Sequence, residues 1–161
     1  MVLPDGTLFG EGVKTRVKEE LLAKCNLHTI VRLPNGVFNP YTGINTNLLF
    51  FEKGTSTKEI WYYEHPYPEG VKSYNKTKPI NIKEFDAEKD WWKKRKGSPL
   101  AWKITLDEIK AKNYNLDFKN PHEEADSLEA PEVILEQYHK TEAKITSIQN
   151  EIVKVLTEAL Q

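Results

Sequence analysis

The segment Asn26–Gly54, NLHTIVRLPNGVFNPYTGINTNLLFFEKG, contains the two most apolar strand-like runs of the chain and its densest turn chemistry. Residues 27–33 are rich in β-branched side chains, and residues 48–51 are an apolar run too short for a helix. Both runs predict strands. The second has no polar alternation, so we expect it to be covered on both faces, as in a layered α/β sheet. The prolines and glycines of residues 34–43 predict a shaped loop at a strand end, where such sheets keep their sites.

The flanking sequence is typical of the second half of a layered α/β sheet. Residues 1–3 resemble the end of a strand cut short, and residues 12–25 predict an amphipathic helix. The expected apolar face of that helix consists of Val13, Val17, Leu21 and Cys25, with Leu22 beside them. Residues 58–64 have high β propensity after a short connection, which predicts antiparallel pairing with the strand at Phe50.

Two helices are predicted in the middle of the chain. Residues 80–85 lead into a helical stretch that ends near Lys94, with Phe85 and Trp92 on one face. The sequence Thr105-Leu106-Asp107-Glu108 matches a capping box and predicts a short helix from Leu106 to about Lys112. Residues 113–117 are expected to be extended.

The acidic end of the chain predicts one long helix from Pro131 to Leu160. Apolar side chains recur along it at spacings of three and four residues, and this seam is typical of a helix that packs against another helix. The seam consists of Tyr138, Ile145, Ile148, Ile152, Val155 and Leu156. The helix could bind a partner or pack on its own domain. We therefore predict a domain over residues 1–125 and a helical tail over residues 126–161.

Composition and charge limit the possible functions. The chain has 161 residues, of which 39% are hydrophobic, and a formal net charge of −1, so no overall basic field indicates nucleic acid. Residues 72–96 nevertheless contain nine basic and four acidic residues, although such a run is more often a solvated face. The candidate phosphate-binding residues are Lys72, Lys76, Lys78, Lys93, Lys94 and Arg95. A single cysteine and the lack of any membrane-length apolar run favour a reducing cytoplasm and no membrane contact.

A family resemblance rests on consecutive residues of the same segment. The string LHTIVRLPNGVFNPYTGINTNLLFFEKG, with VLPDGTLF before it and EIWYYEHP after it, resembles the modification (M) subunit of type I restriction-modification systems. These subunits are adenine-N6 DNA methyltransferases. The resemblance extends from Val2 to about Asp117, with a looser likeness through the tail. It implies an α/β fold formed by the later half of a methyltransferase-like (Rossmann-like) mixed sheet, followed by a long C-terminal helix.

The resemblance also implies roles for the loop and the tail. Phe38 would stack on an adenine flipped from the DNA duplex, although it could instead cap the core under the loop. The target-base pocket would then be lined by Phe38, Asn39, Pro40, Tyr41, Thr42 and Asn45. Asn45 stands where a basic residue is expected in many relatives. In the resembled family the tail packs on helices of the specificity (S) subunit.

The groups that carry methyl transfer are not found in the sequence. A methyltransferase needs a glycine-rich loop after its first strand for S-adenosylmethionine, and Gly10-Glu11-Gly12 lacks both the full strand and the acidic partner. The family's Asn-Pro-Pro-Phe or Asn-Pro-Pro-Tyr motif is matched only in part by residues 39–41 and 120–122. No histidine pair has metal-ligand spacing, so we predict no catalytic residue and no metal site. S-adenosylmethionine would serve the parent enzyme only.

Two functions from different classes remain open at this point. The chain could be part of a type I M subunit, inactive alone, that works with the rest of the subunit, the S subunit and double-stranded DNA. Alternatively, it could be a free-standing interaction module that binds a partner, or a second copy of itself, through the tail helix. Whether the chain is itself an enzyme is left open by the sequence.

Overall fold

The computed structural model describes residues 1–122 and 131–159. The strands are β1 (Val2–Pro4), β2 (Cys25–Arg32), β3 (Thr46–Lys53), β4 (Glu59–Glu64) and β5 (Ala101–Thr105). The helices are α1 (Asp5–Leu8), α2 (Val13–Lys24), α3 (Asp86–Lys94), α4 (Leu106–Ala111) and α5 (Pro131–Ala159). A 3₁₀ turn, Ile82–Phe85, precedes α3. Contacts divide the chain into two units, residues 1–123 and residues 124–161.

The five strands of the first unit form one mixed sheet in the order β1-β3-β2-β4-β5. β2 and β4 are parallel, whereas β1 with β3, β2 with β3, and β4 with β5 are antiparallel. β1, β2 and β4 therefore run in the same direction, and their carboxyl ends lie along one edge of the sheet, here called the carboxyl edge. The mixed sheet with its helices, and the separate long helix, confirm the predicted α/β class.

The predicted pairing of residues 58–64 is wrong, because β4 lies beside β2 rather than β3. Thr57, in the connection between β3 and β4, is fully buried and explains the crossing. Its hydroxyl accepts a hydrogen bond from Leu27 N (2.8 Å) and donates one to Cys25 O (2.7 Å), and its own amide donates to Leu22 O (2.8 Å). These three bonds fix the connection at the start of β2, so that the chain passes to the far side of that strand.

Helix α2 forms where it was predicted, and Leu21 and Leu22 of the predicted face pack on the core, but the first half of that face is exposed. Val13 and Val17 are 78% and 61% exposed, while Leu22 and Lys18 are buried. The Lys18 ammonium reaches past the helix to donate to Leu8 O (2.7 Å) and Gly10 O (2.9 Å). Because these carbonyls satisfy the charge, a lysine occupies the position that the sequence pattern assigned to solvent.

Each face of the sheet carries a cluster of buried side chains. One cluster includes Leu27, Ile30 and Tyr62 of the central strands, covered by α2, α4 and residues 114–118. The other includes Val31 and Tyr63, against which Phe85 and Trp91 pack at α3. The predicted burial of both faces of β3 is only half correct: Leu49 is buried but Phe50 remains 38% exposed.

Some of the remaining local predictions are confirmed and others are wrong. The capping box at α4 is present, with Thr105 Oγ1 accepting from the Glu108 amide and the Glu108 carboxylate accepting from the Thr105 amide. The helix after residue 81 is also confirmed. Residues 113–117 are not uniformly extended, because Asn113 and Tyr114 have φ of +52° and +57°. β5 was not predicted at all.

The second unit contains helix α5, which confirms the predicted long helix as far as Ala159; Leu160 lies outside the described residues. No helix among the described residues is long and apolar enough to cross a membrane.

Candidate functional site

The loop predicted to be functional, residues 34–45, leaves the sheet at the carboxyl edge, directly after β2. Leu33 N donates to Thr46 O (2.9 Å) and closes the base of the loop. Inside it, Asn39 N donates to Gly36 O (3.0 Å), and the amides of Tyr41 and Thr42 donate to Phe38 O. The loop therefore has a defined turn structure on a rigid sheet edge, which is where α/β folds place binding groups.

The two aromatic side chains of this loop are exposed to different extents. Tyr41 is 93% exposed and Phe38 is 40% exposed. Val37, rather than Phe38, packs against the buried cluster on the α3 side of the sheet. Phe38 is thus not the main core contact of the loop, and its ring has free surface on which a planar ligand could stack.

The polar candidates of the loop are less free. Asn39 uses its side-chain amide to donate to Tyr74 O (3.0 Å), and Thr42 Oγ1 accepts from Ile44 N (3.1 Å). The backbone oxygen of Asn45 accepts from Asp5 N (3.1 Å), while the Asn45 residue itself is exposed. Pro40 is exposed as well. All six loop candidates lie in the one loop between β2 and β3, with Phe38, Asn39, Pro40 and Tyr41 in its turn.

A cavity of about 410 Å³ lies beside the loop at the carboxyl edge. Its lining residues include Asp5 after β1, Arg32 and Glu64 at the ends of β2 and β4, and Asn120. Sequence reasoning missed all four as candidates. Each stands at or near the end of a segment that reaches this edge, and knowing that β1, β2 and β4 all run in one direction would have revealed three of them.

The charges of this cavity are paired internally. Arg32 lies 2.8 Å from Asp117 Oδ1 and donates to Phe118 O at 2.9 Å. Asn120 Nδ2 donates to Glu64 Oε2 (3.0 Å) and Pro99 O (2.8 Å). These contacts fasten residues 117–120 across the strand ends. The cavity can offer hydrogen bonds to a ligand, but no nucleophile with an adjacent base is found among its lining residues.

Three of the predicted phosphate-binding lysines lie in the loop of residues 66–79, which contacts the candidate loop. Tyr67 donates through its hydroxyl to Asn35 O (2.8 Å), and Tyr74 receives the Asn39 bond described above. Lys72, Lys76 and Lys78 are exposed, and none forms an ion pair with another described residue. These lysines surround Tyr74 in sequence and are free to meet an anion.

The other three basic candidates lie toward the opposite edge of the sheet, at the end of α3. The Arg95 guanidinium stacks over Trp92 (4.4 Å to the ring centroid) and lies 3.2 Å from His28 Nδ1 near the start of β2. Burial lowers the pKa of Arg95, and burial together with the Arg95 charge lowers the pKa of His28. Lys93 is paired with Asp90 at 2.8 Å. The structure thus separates Lys93, Lys94 and Arg95 from the candidate loop.

The space at Gly10, the glycine of the partial motif, is occupied by atoms of this chain. A cofactor loop needs a glycine that leaves space for the ligand, but a Cβ on Gly10 would lie 2.2 Å from the Lys14 side chain and 2.8 Å from Gly6 O. Lys14 fills that space and donates to Gly6 O (2.8 Å). No group of three or more metal-ligating side chains occurs in the described part of the chain.

The seam of α5 is a continuous apolar stripe within its own unit. Its six residues, Tyr138, Ile145, Ile148, Ile152, Val155 and Leu156, are each between 51% and 61% exposed. Ile148, Ile152, Val155 and Leu156 line a shallow groove of about 340 Å³. The stripe has the geometry of a surface that packs against another helix.

Comparison with known proteins gives consistent matches. Residues 1–130 match the N-6 DNA methylase family. The chain is 55% identical over 167 residues to the methylase subunit of the type I restriction enzyme EcoEI from Escherichia coli, a match that covers 99% of this chain and 34% of that protein.

Two solved structures are similar over most of the chain. A modification subunit attributed to a type I restriction enzyme of Vibrio vulnificus has a TM-score of 0.73 and 49% identity, covering 80% of this chain and 28% of that one. A chain from a study of assembly and conformational transition of the type I R-M system also has a TM-score of 0.73, with 38% identity, covering 98% and 35%. The chain therefore spans about a third of the length of the relatives it matches.

Proposed function

The chain belongs to the N-6 DNA methylase family, and we propose that it serves as a segment of the M subunit of a type I restriction-modification enzyme. The observation that carries this proposal is the match of almost the whole chain to one third of a type I methylase subunit. The complete subunit would transfer a methyl group from S-adenosylmethionine to N6 of adenine in double-stranded DNA, in the cytoplasm. This segment would supply structure around the target base and no catalytic group.

The candidate loop supports a role at the target base. The ring of Phe38 is partly exposed and that of Tyr41 is almost fully exposed. Hydrogen bonds within the loop hold its backbone. An adenine flipped from the duplex needs an aromatic face on which to stack and a pocket that is already shaped. Asn39, Pro40, Thr42 and Asn45 would complete the wall of this pocket.

The loop of residues 66–79 supports a role at the DNA backbone. Lys72, Lys76 and Lys78 are exposed beside the candidate loop, so they could meet phosphates that flank the flipped base. Lys93, Lys94 and Arg95 lie toward the other edge of the sheet. Duplex DNA would have to contact a second surface of the domain to reach them. We therefore assign phosphate binding to the first group before the second.

The seam of α5 supports assembly with the S subunit, and it also favours a second candidate function, a free-standing module that associates through this helix. Burying one isoleucine contributes roughly 1.5–3 kcal/mol, so three buried together outweigh exposed ion pairs of under about 1 kcal/mol each. Without an S subunit the same seam would pair two copies of the chain, with twofold symmetry favoured.

Complementation tests the main proposal. The isolated chain is expected to show no heat of binding to S-adenosylmethionine in calorimetry and no methylation of DNA. Co-expression with the remaining two thirds of an M subunit and its S subunit should give adenine-N6 methylation. Saturable micromolar cofactor binding by the chain alone, or a folded complex that methylates equally well without this chain, would refute the proposal.

Light scattering separates the two uses of the tail. Replacing Ile145, Ile148 and Ile152 together with Glu should abolish association with the S subunit and any dimer of the chain. The control replaces Ala143, Ser147 and Asn150 with Glu, which adds the same charge away from the seam. If the seam variant keeps its mass and partner and instead unfolds less cooperatively, the seam packs within its own chain.

A further inference from the structure

Tyr74 connects the candidate loop to the rest of the domain. It is buried, although it lies in an otherwise polar loop. Its backbone oxygen accepts the Asn39 side chain, and a Cβ on Gly36 would lie 2.8 Å from that same oxygen. Gly36 has φ of +81°, so the residue at this point of closest approach must be glycine. The candidate loop therefore rests directly on the Tyr74 backbone.

The other end of Tyr74 points at a charged cluster. Its hydroxyl donates to Glu84 Oε2, and Glu84 Oε1 accepts from Asn81 N (2.7 Å) in the capping box that starts the 3₁₀ turn. The capping box fixes the Glu84 carboxylate, so the tyrosine hydroxyl meets a rigid acceptor. Hydrogen bonds to a charged carboxylate are stronger than those between neutral groups.

The cluster continues into α3 through a buried histidine. His65, whose side chain is almost fully buried, bonds through Nδ1 to Glu88 Oε1 (2.6 Å) and stacks on Phe85 at 4.6 Å between ring centroids. Its Nε2 lies 4.0 Å from Glu84 Oε2. The hydrogen bonds lead from the candidate loop through Tyr74 to Glu84, and the His65–Glu88 pair at the end of β4 and in α3 lies next to that carboxylate without a hydrogen bond to it.

We propose that Tyr74 is a positioning residue, whose hydroxyl bond to Glu84 holds residues 34–45 in the shape that accepts the target base. This inference rests on the proposed function for its consequence in methylation. Packing alone would be satisfied by phenylalanine, but only the hydroxyl connects the loop to the carboxylate cluster. A base pocket displaced by about an ångström loses much of its rate, so a connection of this kind would matter for catalysis without touching substrate.

Hydrogen–deuterium exchange of the isolated chain tests the connection directly. Tyr74→Phe removes only the hydroxyl and should speed exchange at residues 39–44 roughly tenfold, with exchange in β2 and β4 unchanged. Glu84→Gln keeps one oxygen for the capping box and turns an NH2 group toward Tyr74, so the tyrosine hydroxyl can only accept a weaker bond between neutral groups, and the change should be smaller than for Tyr74→Phe. The control is Tyr114→Phe, which removes a hydroxyl bond to the Glu19 carboxylate (3.1 Å) outside the candidate loop.

The complemented enzyme provides the second readout. Tyr74→Phe should slow methylation and raise KM for DNA while KM for S-adenosylmethionine stays constant, and Tyr114→Phe should change neither. Unchanged exchange at residues 39–44, or a uniform increase across the whole chain, would overturn the positioning role. Because exchange is measured without DNA or cofactor, failure of the methyltransferase proposal would leave that measurement intact, and the two failures are distinguishable.

Discussion

Two tyrosines of β4 and the loop after it make the same hydrogen bond in different surroundings, which allows a matched test of what burial contributes. Tyr62 is fully buried at the centre of β4, and its hydroxyl donates to Leu116 O at 2.9 Å. Tyr67 donates to Asn35 O at 2.8 Å in an exposed position. Replacing either residue with phenylalanine removes one hydroxyl and leaves the ring in place.

The expected cost of the two substitutions differs because water can replace only the exposed bond. Tyr62→Phe leaves the buried oxygen of Leu116 without this donor, and a buried polar group left unsatisfied costs about 1–3 kcal/mol. Tyr67→Phe exposes its acceptor to water, so the cost should stay below about 0.5 kcal/mol. Burial also raises the pKa of Tyr62, so its phenol is neutral at pH 7 and ionisation does not enter the comparison.

Equilibrium unfolding in urea at pH 7 measures both free energies of unfolding. The four tryptophans, at positions 61, 91, 92 and 102, all lie in the first unit and report its unfolding by fluorescence. The variants should share one m-value and differ in midpoint. Equal costs for the two substitutions, or a cost below about 0.5 kcal/mol for Tyr62→Phe, would show that Tyr62 does not fasten residues 114–118 to the sheet.

Three further measurements test other parts of the fold. Lys18→Met removes the donor to two carbonyl groups and should lower the free energy of unfolding by about 1–2 kcal/mol in the same urea assay. Leu22→Ala should cost at least about 2 kcal/mol and Val17→Ala less than about 0.5, and the reverse order would restore the predicted face of α2. An NMR titration should give His28 a pKa below the usual value of about 6.5, because of burial and the Arg95 charge. The stability that comes from neutral His28 is therefore complete above pH 6.5 and is lost as the pH falls toward the folded-state pKa. Because His28→Asn cannot lose this contribution, its urea midpoint should fall less than that of the unchanged chain between pH 7.5 and about pH 5.5.

The sequence correctly predicted the features that depend only on residues close together in the chain. The capping box at Thr105 fixed the start of α4, because its two reciprocal bonds involve only residues 105 and 108. The seam of α5 predicted a long helix for the same reason, since the pattern lies within one segment. The loop of residues 34–45 was identified from its prolines and glycines, which limit the backbone wherever the loop lies.

Predictions that depended on distant partners were wrong. The partner of β4 is decided by Thr57, whose hydroxyl bonds to Cys25 and Leu27 only after the chain has crossed β2. The buried face of α2 is decided by carbonyl oxygens near α1 that satisfy the Lys18 charge. The residues next to Thr57 and Lys18 in sequence give no sign of either contact. Propensity and periodicity therefore predicted the more common arrangements, a hairpin pairing for β4 and an exposed lysine in α2.

The same limit explains why the carboxyl edge was recognised only in part. Asp5, Arg32 and Glu64 are separated by at least 27 residues, and they meet because three strands run in one direction. Once β1 and β4 are both known to run in the direction of β2, all three fall at one edge.

A DNA methyltransferase must both bind the target base and transfer a methyl group to it. Binding a flipped base requires a shaped wall with an aromatic face, and under the proposed function residues 34–45 would provide both through contacts that lie within the first unit. Methyl transfer also requires a bound cofactor, which under the proposed function would be held by the rest of the subunit. The shape of residues 34–45 depends on hydrogen bonds within this chain. The loop can therefore take that shape without a cofactor or a catalytic group. Under the proposed function, we therefore expect the base-binding shape to be a property of this chain alone, and catalysis to arise only when the rest of an M subunit places the cofactor beside it.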